Sequence, residues 1–488
     1  MTERPVFLSA RAIPLAVFLL LASALGFFNL TGDLMNDDEG TYLYSAWRVG
    51  AGDTPYSGFT LVQAPLSFWL MGGIFKICGP SVGAARAVSY LFILGAALLI
   101  YSAARRALGL TPVIAAASAA MFLFTKHIFF LGRSFMPDDF MLFWGAAALV
   151  AFLRVEEKGP TPGFVLAGAF SGLAALSKLN GVLIFAAFFL YFIWIGLAEK
   201  ETLRSLVRKS LFLWAGFLLT FGLPFLALVL FVPGAGYQMA GFHAGKTALA
   251  EGTFWTRPFV RIAQFVGNHD YGLVSAAAVG MGFAPGLGYK KRMALLLSAA
   301  MPFVFVILPG RFFVRYILFA LIPLALFFGI GLDALLGRRK TRAFILPLVL
   351  VLAVISLGPT FEPRKLGGFD RETRALSAFV RDHTRPGEFV FGDDPFINFL
   401  ARRPCPPGLV DVSEAWTRSG RIASADIRRQ CEATRTALIF VEKGHSAHHL
   451  VSLTDFPKFQ AYLDEKFNRA AVVKREFLDV EVYLRKSP

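Results

Sequence analysis

Three acids in a row, Asp37, Asp38 and Glu39, come shortly after an apolar run from Ala12 to Leu30 that is long enough to cross a bilayer. A carboxylate held at a membrane surface has three ordinary uses: general base for a hydroxyl acceptor, metal ligand, or solvated loop charge. A second acidic pair, Asp138 and Asp139, opens another apolar run, and Lys178 stands between Leu176 and Leu179 at the end of a third. A lysine in that place is costly unless its ammonium snorkels to the interface or meets an anion. Asp139 also has a plain reading, a helix N-terminal acid on the helix dipole, worth about 0.3–1 kcal/mol. Acids that take protons and cations that hold an anion are what a group transfer at a membrane surface requires.

The elements that must position these groups are apolar. Of the 488 residues 56% are hydrophobic and 17% charged, and the mean hydropathy is +0.58, values of a polytopic α-helical membrane protein surrounded by membrane lipids. The formal charge of +16 does not point to nucleic acid, because Lys and Arg fall mostly in short loops between apolar runs, where the positive-inside rule accounts for them.

With the N-terminus in the cytoplasm, that rule gives eleven spans, at about 12–30, 84–102, 113–131, 140–153, 163–177, 181–197, 211–232, 271–287, 293–308, 316–336 and 344–357. The piece from Ala64 to Ile77 is too short for a comfortable crossing and reads as re-entrant or interfacial; counting it as a span would put the densest basic clusters outside. The resulting topology places Asp37 to Glu39, Asp138, Asp139, Lys178, Arg311 and Arg315 on the outer side. A first outer loop, 31–83, and a long outer loop, 233–270, carrying His243 and Glu251, share that side.

From Pro359 the composition becomes that of a water-soluble domain. Helices are expected over Arg371–Asp382 and Phe456–Phe467, buried strands over Glu388–Phe391 and Leu438–Val441, and a strand pair over Ala471–Phe477 and Val480–Leu484. The chain therefore divides into a transmembrane domain, 1–358, and a small extracytoplasmic α/β domain, 359–488. Cys405 and Cys431 share this tail, so a disulfide between them is open, whereas no cysteine pair has zinc-site spacing. A divalent metal is left open at His269 and Asp270, although two ligands do not make a site.

Several short motifs follow one another in a telling order. Asp38-Glu39 precedes Tyr42, then come Gly52-Asp53-Thr54-Pro55-Tyr56, Ala64-Pro65-Leu66, Arg86 before a span, Asp139 opening a span, and Gly172 to Lys178 ending one. This order resembles the GT-C membrane glycosyltransferases, in the branch with the protein O-mannosyltransferases and the bacterial lipid A aminoarabinose transferase. The resemblance implies a polyprenyl-phosphate sugar donor and a lipid, protein or polysaccharide acceptor at the outer face of a cell (inner) membrane. It implies catalysis by Asp38, the acid of the first-loop pair with Glu39, and a second-loop acid matching Asp139, with Asp138 as the competing alignment. By the same resemblance Lys178, with Arg311 and Arg315, binds the donor phosphate, and Arg315-Tyr316 is similar to the family's basic-tyrosine pair. Tyr42, Tyr316 and His243 are the expected substrate contacts. A lysine that some relatives carry before the first-loop proline is Gln63 here.

Two other classes fit parts of this pattern. A transporter or lipid-linked-glycan flippase would explain many spans and interfacial cations, but such proteins place ionisable residues near the bilayer midplane and show paired repeats. Here the acids gather at one surface and no internal repeat is evident. An enzyme of the same fold that moves a whole glycan chain is also compatible.

Overall fold

The computed structural model of the chain describes residues 12–28, 30–31, 38–156, 161–199, 201–241, 257–267, 277, 280–282, 286–307, 314–336, 371–444, 449–474 and 479–487. In chain order its membrane-region helices are α1 (Ile13–Gly26), α2 (Asp38–Gly50), α3 (Leu66–Cys78), α4 (Val82–Ser102), α5 (Pro112–Leu123), α6 (Lys126–Leu131), α7 (Pro137–Val155), α8 (Gly163–Ser177), α9 (Val182–Ala198), α10 (Leu203–Phe217), α11 (Leu223–Phe231), α12 (Arg257–Gly267), α13 (Tyr289–Ala300) and α14 (Leu321–Leu336). The chain falls into two compact units. One comprises Met1–Leu30, Arg86–Leu226 and Glu251–Pro363, the other Thr31–Ala85, Ala227–Ala250 and Arg364–Pro488.

Among the described residues, four apolar helical stretches are long enough to cross a bilayer: Val82–Ala107, Leu179–Ala198, Leu203–Phe231 and Arg315–Leu336. Ile13–Gly26, Leu66–Cys78, Pro112–Leu123 and Gly163–Ser177 are apolar but shorter. The expected run 271–287 lies largely, and 344–357 wholly, outside the described residues. The run 113–131 is not one helix. Thr125 is extended (φ −58°, ψ 131°) and the polar pair Lys126-His127 follows it, so α5 stops at Leu123 and α6 starts afresh. The α5 start is conventional: Thr111 accepts the amide of Ile114 at 3.4 Å, with Pro112 in the first turn.

In the first unit α8 packs on α7 and on α10, α14 on α5, and α13 on α9. Small residues let α8 and α10 approach closely. A methyl group at Gly168 would stand 2.0 Å from the Leu213 carbonyl oxygen, and one at Gly216 2.0 Å from that of Val165. A buried ionic cluster lies beside this crossing, where Lys209 Nζ meets Glu156 Oε1 at 3.2 Å and Glu201 Oε1 at 2.9 Å.

The second unit contains a mixed four-stranded sheet and its helices: α15 (Arg371–His383), β1 (Val390–Gly392), α16 (Pro395–Ala401), α17 (Ser424–Ala433), β2 (Leu438–Lys443), α18 (Phe456–Lys466), β3 (Phe467–Lys474) and β4 (Asp479–Arg485). The strand order is β1-β2-β4-β3; β1 runs parallel to β2, and the other pairs are antiparallel. A bulge between Arg469 and Ala471 shifts the β3 register. Leu376, Val380, Val390, Ile397, Phe440 and Val482 share the core beneath the sheet. α15, α18 and the four strands fall on or beside the expected segments, with β3 starting four residues earlier than the sequence suggests because Phe467 is drawn into the core, whereas α16 and α17 were not expected. Cys405 and Cys431 are buried free thiols, so the open disulfide is not formed. Burial pushes the Cys431 thiol up to about 12 and that of Cys405 well above its ordinary value.

Candidate active site

The first-loop acids stand on a helix. Asp38 and Glu39 form the first turn of α2, where carboxylates complement the exposed amides and the helix dipole. Glu39 is fully buried and Asp38 half-buried, so the solvated-loop reading does not describe this pair. Tyr42, one turn beyond Asp38, is buried on the same helix.

The segment after α2 is built to hold Tyr42. Gln63 Nε2 donates to the Tyr42 hydroxyl at 3.2 Å, and the Tyr56 hydroxyl donates to the Gln63 carbonyl at 2.8 Å. Tyr56 itself is at φ 72°, a left-handed conformation fixed by the loop around it. Gln238 clamps the loop from outside: its Oε1 accepts the Leu61 amide at 3.0 Å and its Nε2 donates to the Tyr56 carbonyl at 2.8 Å. Arg48 and Asp53 pair at 2.5 Å across the turn that follows α2. Gln63 is thus a binding partner of a candidate substrate contact, a role its residue type alone does not announce.

The second constellation belongs to the first unit. Pro137 opens α7, placing Asp138 and Asp139 in its first turn, both buried. Lys178 caps the end of α8 in an extended conformation (φ −154°, ψ 131°), where the chain turns into α9. Its Nζ donates to Asp138 Oδ1 at 2.6 Å and lies 5.9 Å from the centre of the Tyr316 ring. The side chains of this pair are 7% and 1% exposed, so the lysine does not snorkel; it is held in the interior by a carboxylate. Sequence spacing had offered Asp138 only as a competing alignment for Asp139; its actual partner is forty residues away in the chain.

Tyr316 and the half-buried Arg315 sit on a 3-10 turn, Val314–Ala320, that leads into α14. Arg86 is fully buried, and its Nη1 donates to the Leu30 carbonyl at 2.9 Å. Arg311 and His243, as well as Glu251, His269 and Asp270, lie outside the described residues. Among the described residues no group of three His, Cys, Asp or Glu side chains is placed to hold a metal ion.

A separate titrating pair lies beyond the ends of the parallel strands. Asp393 follows β1 and accepts the amides of Glu442 and Leu450 at 2.7 Å each. Burial pushes its carboxyl up to about 6, with Asp394 adding to the rise against those two amides and His449. Burial alone would lower the His449 imidazole, but the carboxylates of Asp393 and Glu442 and the Val412 carbonyl raise it.

This fold has known counterparts. Residues 62–234 match the family described as dolichyl-phosphate-mannose-protein mannosyltransferase. The structure of ArnT from Cupriavidus metallidurans bound to undecaprenyl phosphate superimposes with a TM-score of 0.67 at 15% identity, covering 97% of this chain and 98% of that one. The archaeal oligosaccharyltransferase AglB from Archaeoglobus fulgidus, in complex with an inhibitory peptide and a dolichol-phosphate, gives 0.56 at 13% identity, covering 88% of this chain and 69% of that one. The arabinofuranosyltransferase AftD from Mycobacteria gives 0.54 at 14% identity over 97% of this chain and 41% of that one. No curated protein matches the sequence. The fold is that of the GT-C membrane glycosyltransferases, the class to which the order of its motifs pointed, and the chain is a membrane protein.

Proposed function

We propose that the protein is an inverting glycosyltransferase that moves one sugar from a polyprenyl-phosphate donor to a hydroxyl acceptor at the outer face of the inner membrane. The observation that carries this reading is the buried Lys178–Asp138 pair at the end of α8, in a fold shared with a protein solved with undecaprenyl phosphate bound. Asp38 is the base. It takes the acceptor's proton as the acceptor oxygen attacks the anomeric carbon; the bond from that carbon to the phosphate oxygen breaks, and the polyprenyl phosphate leaves with the electron pair. Glu39 and Tyr42 complete the acceptor side, and Asp139 assists.

Lys178 meets the charge on the departing phosphate, with Arg311 and Arg315 as further cations. Asp138 holds the ammonium in place until the phosphate arrives. Tyr316 and His243 are the remaining substrate contacts. The acceptor is a lipid, protein or polysaccharide. In this reading eleven spans form a transmembrane domain, 1–358, with a cytoplasmic N-terminus, and residues 359–488 form the extracytoplasmic domain.

The test is sugar transfer in membranes from cells producing wild type, Asp38→Asn or Lys178→Ala at matched levels, given a panel of radiolabelled undecaprenyl-phosphate sugars. Wild type labels an acceptor, Asp38→Asn binds donor without transferring, and Lys178→Ala loses donor binding. Transfer by Asp38→Asn at the wild-type rate would sink the base assignment.

A further inference from the structure

The C-terminal segment of the second unit is fitted to the helix that carries the first-loop acids. Asp394 and Phe396 open α16, with Asp394 Oδ1 accepting the Phe396 amide at 2.9 Å as its N-cap. A methyl group placed on Gly40 would stand 2.7 Å from Phe396 Cβ and 3.2 Å from Asp394 Oδ1. Gly40 is two residues after Asp38, so the start of α16 rests directly against the first turn of α2. Contact at that distance leaves no room for a side chain on α2, and α2 in turn has no slack to roll toward α16.

Two more contacts lock the same helix farther along. The Cys405 amide donates to the Tyr44 hydroxyl at 2.7 Å, and the Arg402 guanidinium lies 5.9 Å from the centre of the Trp47 ring. The Thr60 amide and hydroxyl both donate to the Pro407 carbonyl, at 2.9 and 3.1 Å, tying in the loop that holds Tyr42.

We propose that residues 394–407 are a positioning device for Asp38, so that the C-terminal segment sets the orientation of the acid rather than merely shielding the site. Gly40, Asp394 and Phe396 are its positioning residues. Displacing an acid by about 1 Å can cost on the order of 100-fold in rate without weakening substrate binding. The inference rests on the assignment of Asp38 as base.

The experiment compares purified full-length wild type, Gly40→Ala, Asp394→Ala, Gly72→Ala and Asp38→Asn, each reconstituted in membranes of the producing cell. Three quantities are read: rate of label transfer from undecaprenyl-phosphate sugars at saturating donor, binding of undecaprenyl phosphate by thermal shift, and the unfolding midpoint. Gly72→Ala is the steric control, since its added methyl would stand 2.6 Å from Val49 Cγ1 near the other end of α2.

Gly40→Ala is expected to lose at least tenfold in transfer while binding undecaprenyl phosphate within twofold of wild type, and Gly72→Ala to keep its transfer rate. Asp394→Ala, which loses the α16 cap but adds no bulk, reports on the device if Gly40→Ala does not fold, and it too is expected to lose transfer and keep binding. Wild-type transfer by both Gly40→Ala and Asp394→Ala, or losses that track the unfolding midpoint and include Gly72→Ala, overturns the proposal. Asp38→Asn separates the two levels: if it transfers normally the base assignment falls, whereas if it alone is inactive that assignment stands and the positioning role falls.

Discussion

Substituting Lys178 by Met removes the charge and keeps most of the side-chain volume, which makes the Lys178–Asp138 pair open to a quantitative test. Both side chains are almost entirely buried and their contact is 2.6 Å. Removing one member leaves the other charge buried and uncompensated, a loss of about 3–5 kcal/mol in comparable pairs, whereas replacing both by apolar residues is often neutral. Lys178→Met and Asp138→Leu should each lower stability by that amount, and the double variant should come back to within about 1 kcal/mol of wild type. The coupling energy from the cycle would then be at least about 5 kcal/mol, well above what surface ion pairs give. The assay is chemical unfolding in detergent micelles, run beside undecaprenyl phosphate binding. Stability and binding should part company in the double variant, which recovers the fold and not the ligand. Additive single losses would refute the pair as a buried ionic unit, and restored undecaprenyl phosphate binding without Lys178 would refute its role on the phosphate.

Two further outcomes are expected. Between the unfolded carboxyl value of 3.8 and its folded value of about 6, Asp393 holds a proton in the folded chain that the unfolded chain has lost, so stability falls as pH rises through that window, by at most about 3 kcal/mol. His449, also raised, contributes stability that is present below its unfolded value and lost as pH rises through its folded one, which has the same sign. Relative to Asp393→Asn, the thermal midpoint of the wild-type full chain should therefore fall as pH rises from about 4 to about 6; a difference between the two that grows in favour of wild type over this range would contradict it. Gln238→Ala leaves the Leu61 amide and Tyr56 carbonyl without their side-chain partner, for an expected loss of about 1–2 kcal/mol in unfolding, while Gln238→Glu keeps the acceptor and should lose less.

The candidate site residues were legible because charge is rare in this sequence. Asp38, Glu39, Asp138, Asp139 and Lys178 stand out against apolar neighbours, and the membrane class and GT-C fold follow from what surrounds them. What spacing could not carry was pairing between distant segments. That Lys178 meets Asp138, that Gln63 holds the Tyr42 hydroxyl, and that Phe396 abuts Gly40 are consequences of tertiary contact, with no local signature. The α2 helix was hidden for a different reason. Its buried residues, Glu39, Gly40 and Tyr42 to Ala46, crowd together instead of marking one stripe, so the stretch has no helical period to read. The break between α5 and α6 was lost in averaging, since Thr125, Lys126 and His127 are only three polar positions in a mostly apolar nineteen-residue run.

The stretch Leu203–Phe231 has a consequence for the lipids that house the protein. Its 29 residues amount to roughly 43 Å of helix, well beyond a hydrocarbon core of about 30 Å. Only the apolar portion from Leu211 onward, about 32 Å, fits that thickness, which leaves Arg204, Arg208 and Lys209 in the headgroup layer. Lys209 is fastened there to Glu156 and Glu201, and the five-residue π turn Leu218–Gly222 lies half-way along the apolar part. With one end clamped, the widened turn at Leu218–Gly222 is where a change in acyl-chain length is expected to be absorbed, ahead of the ionic cluster.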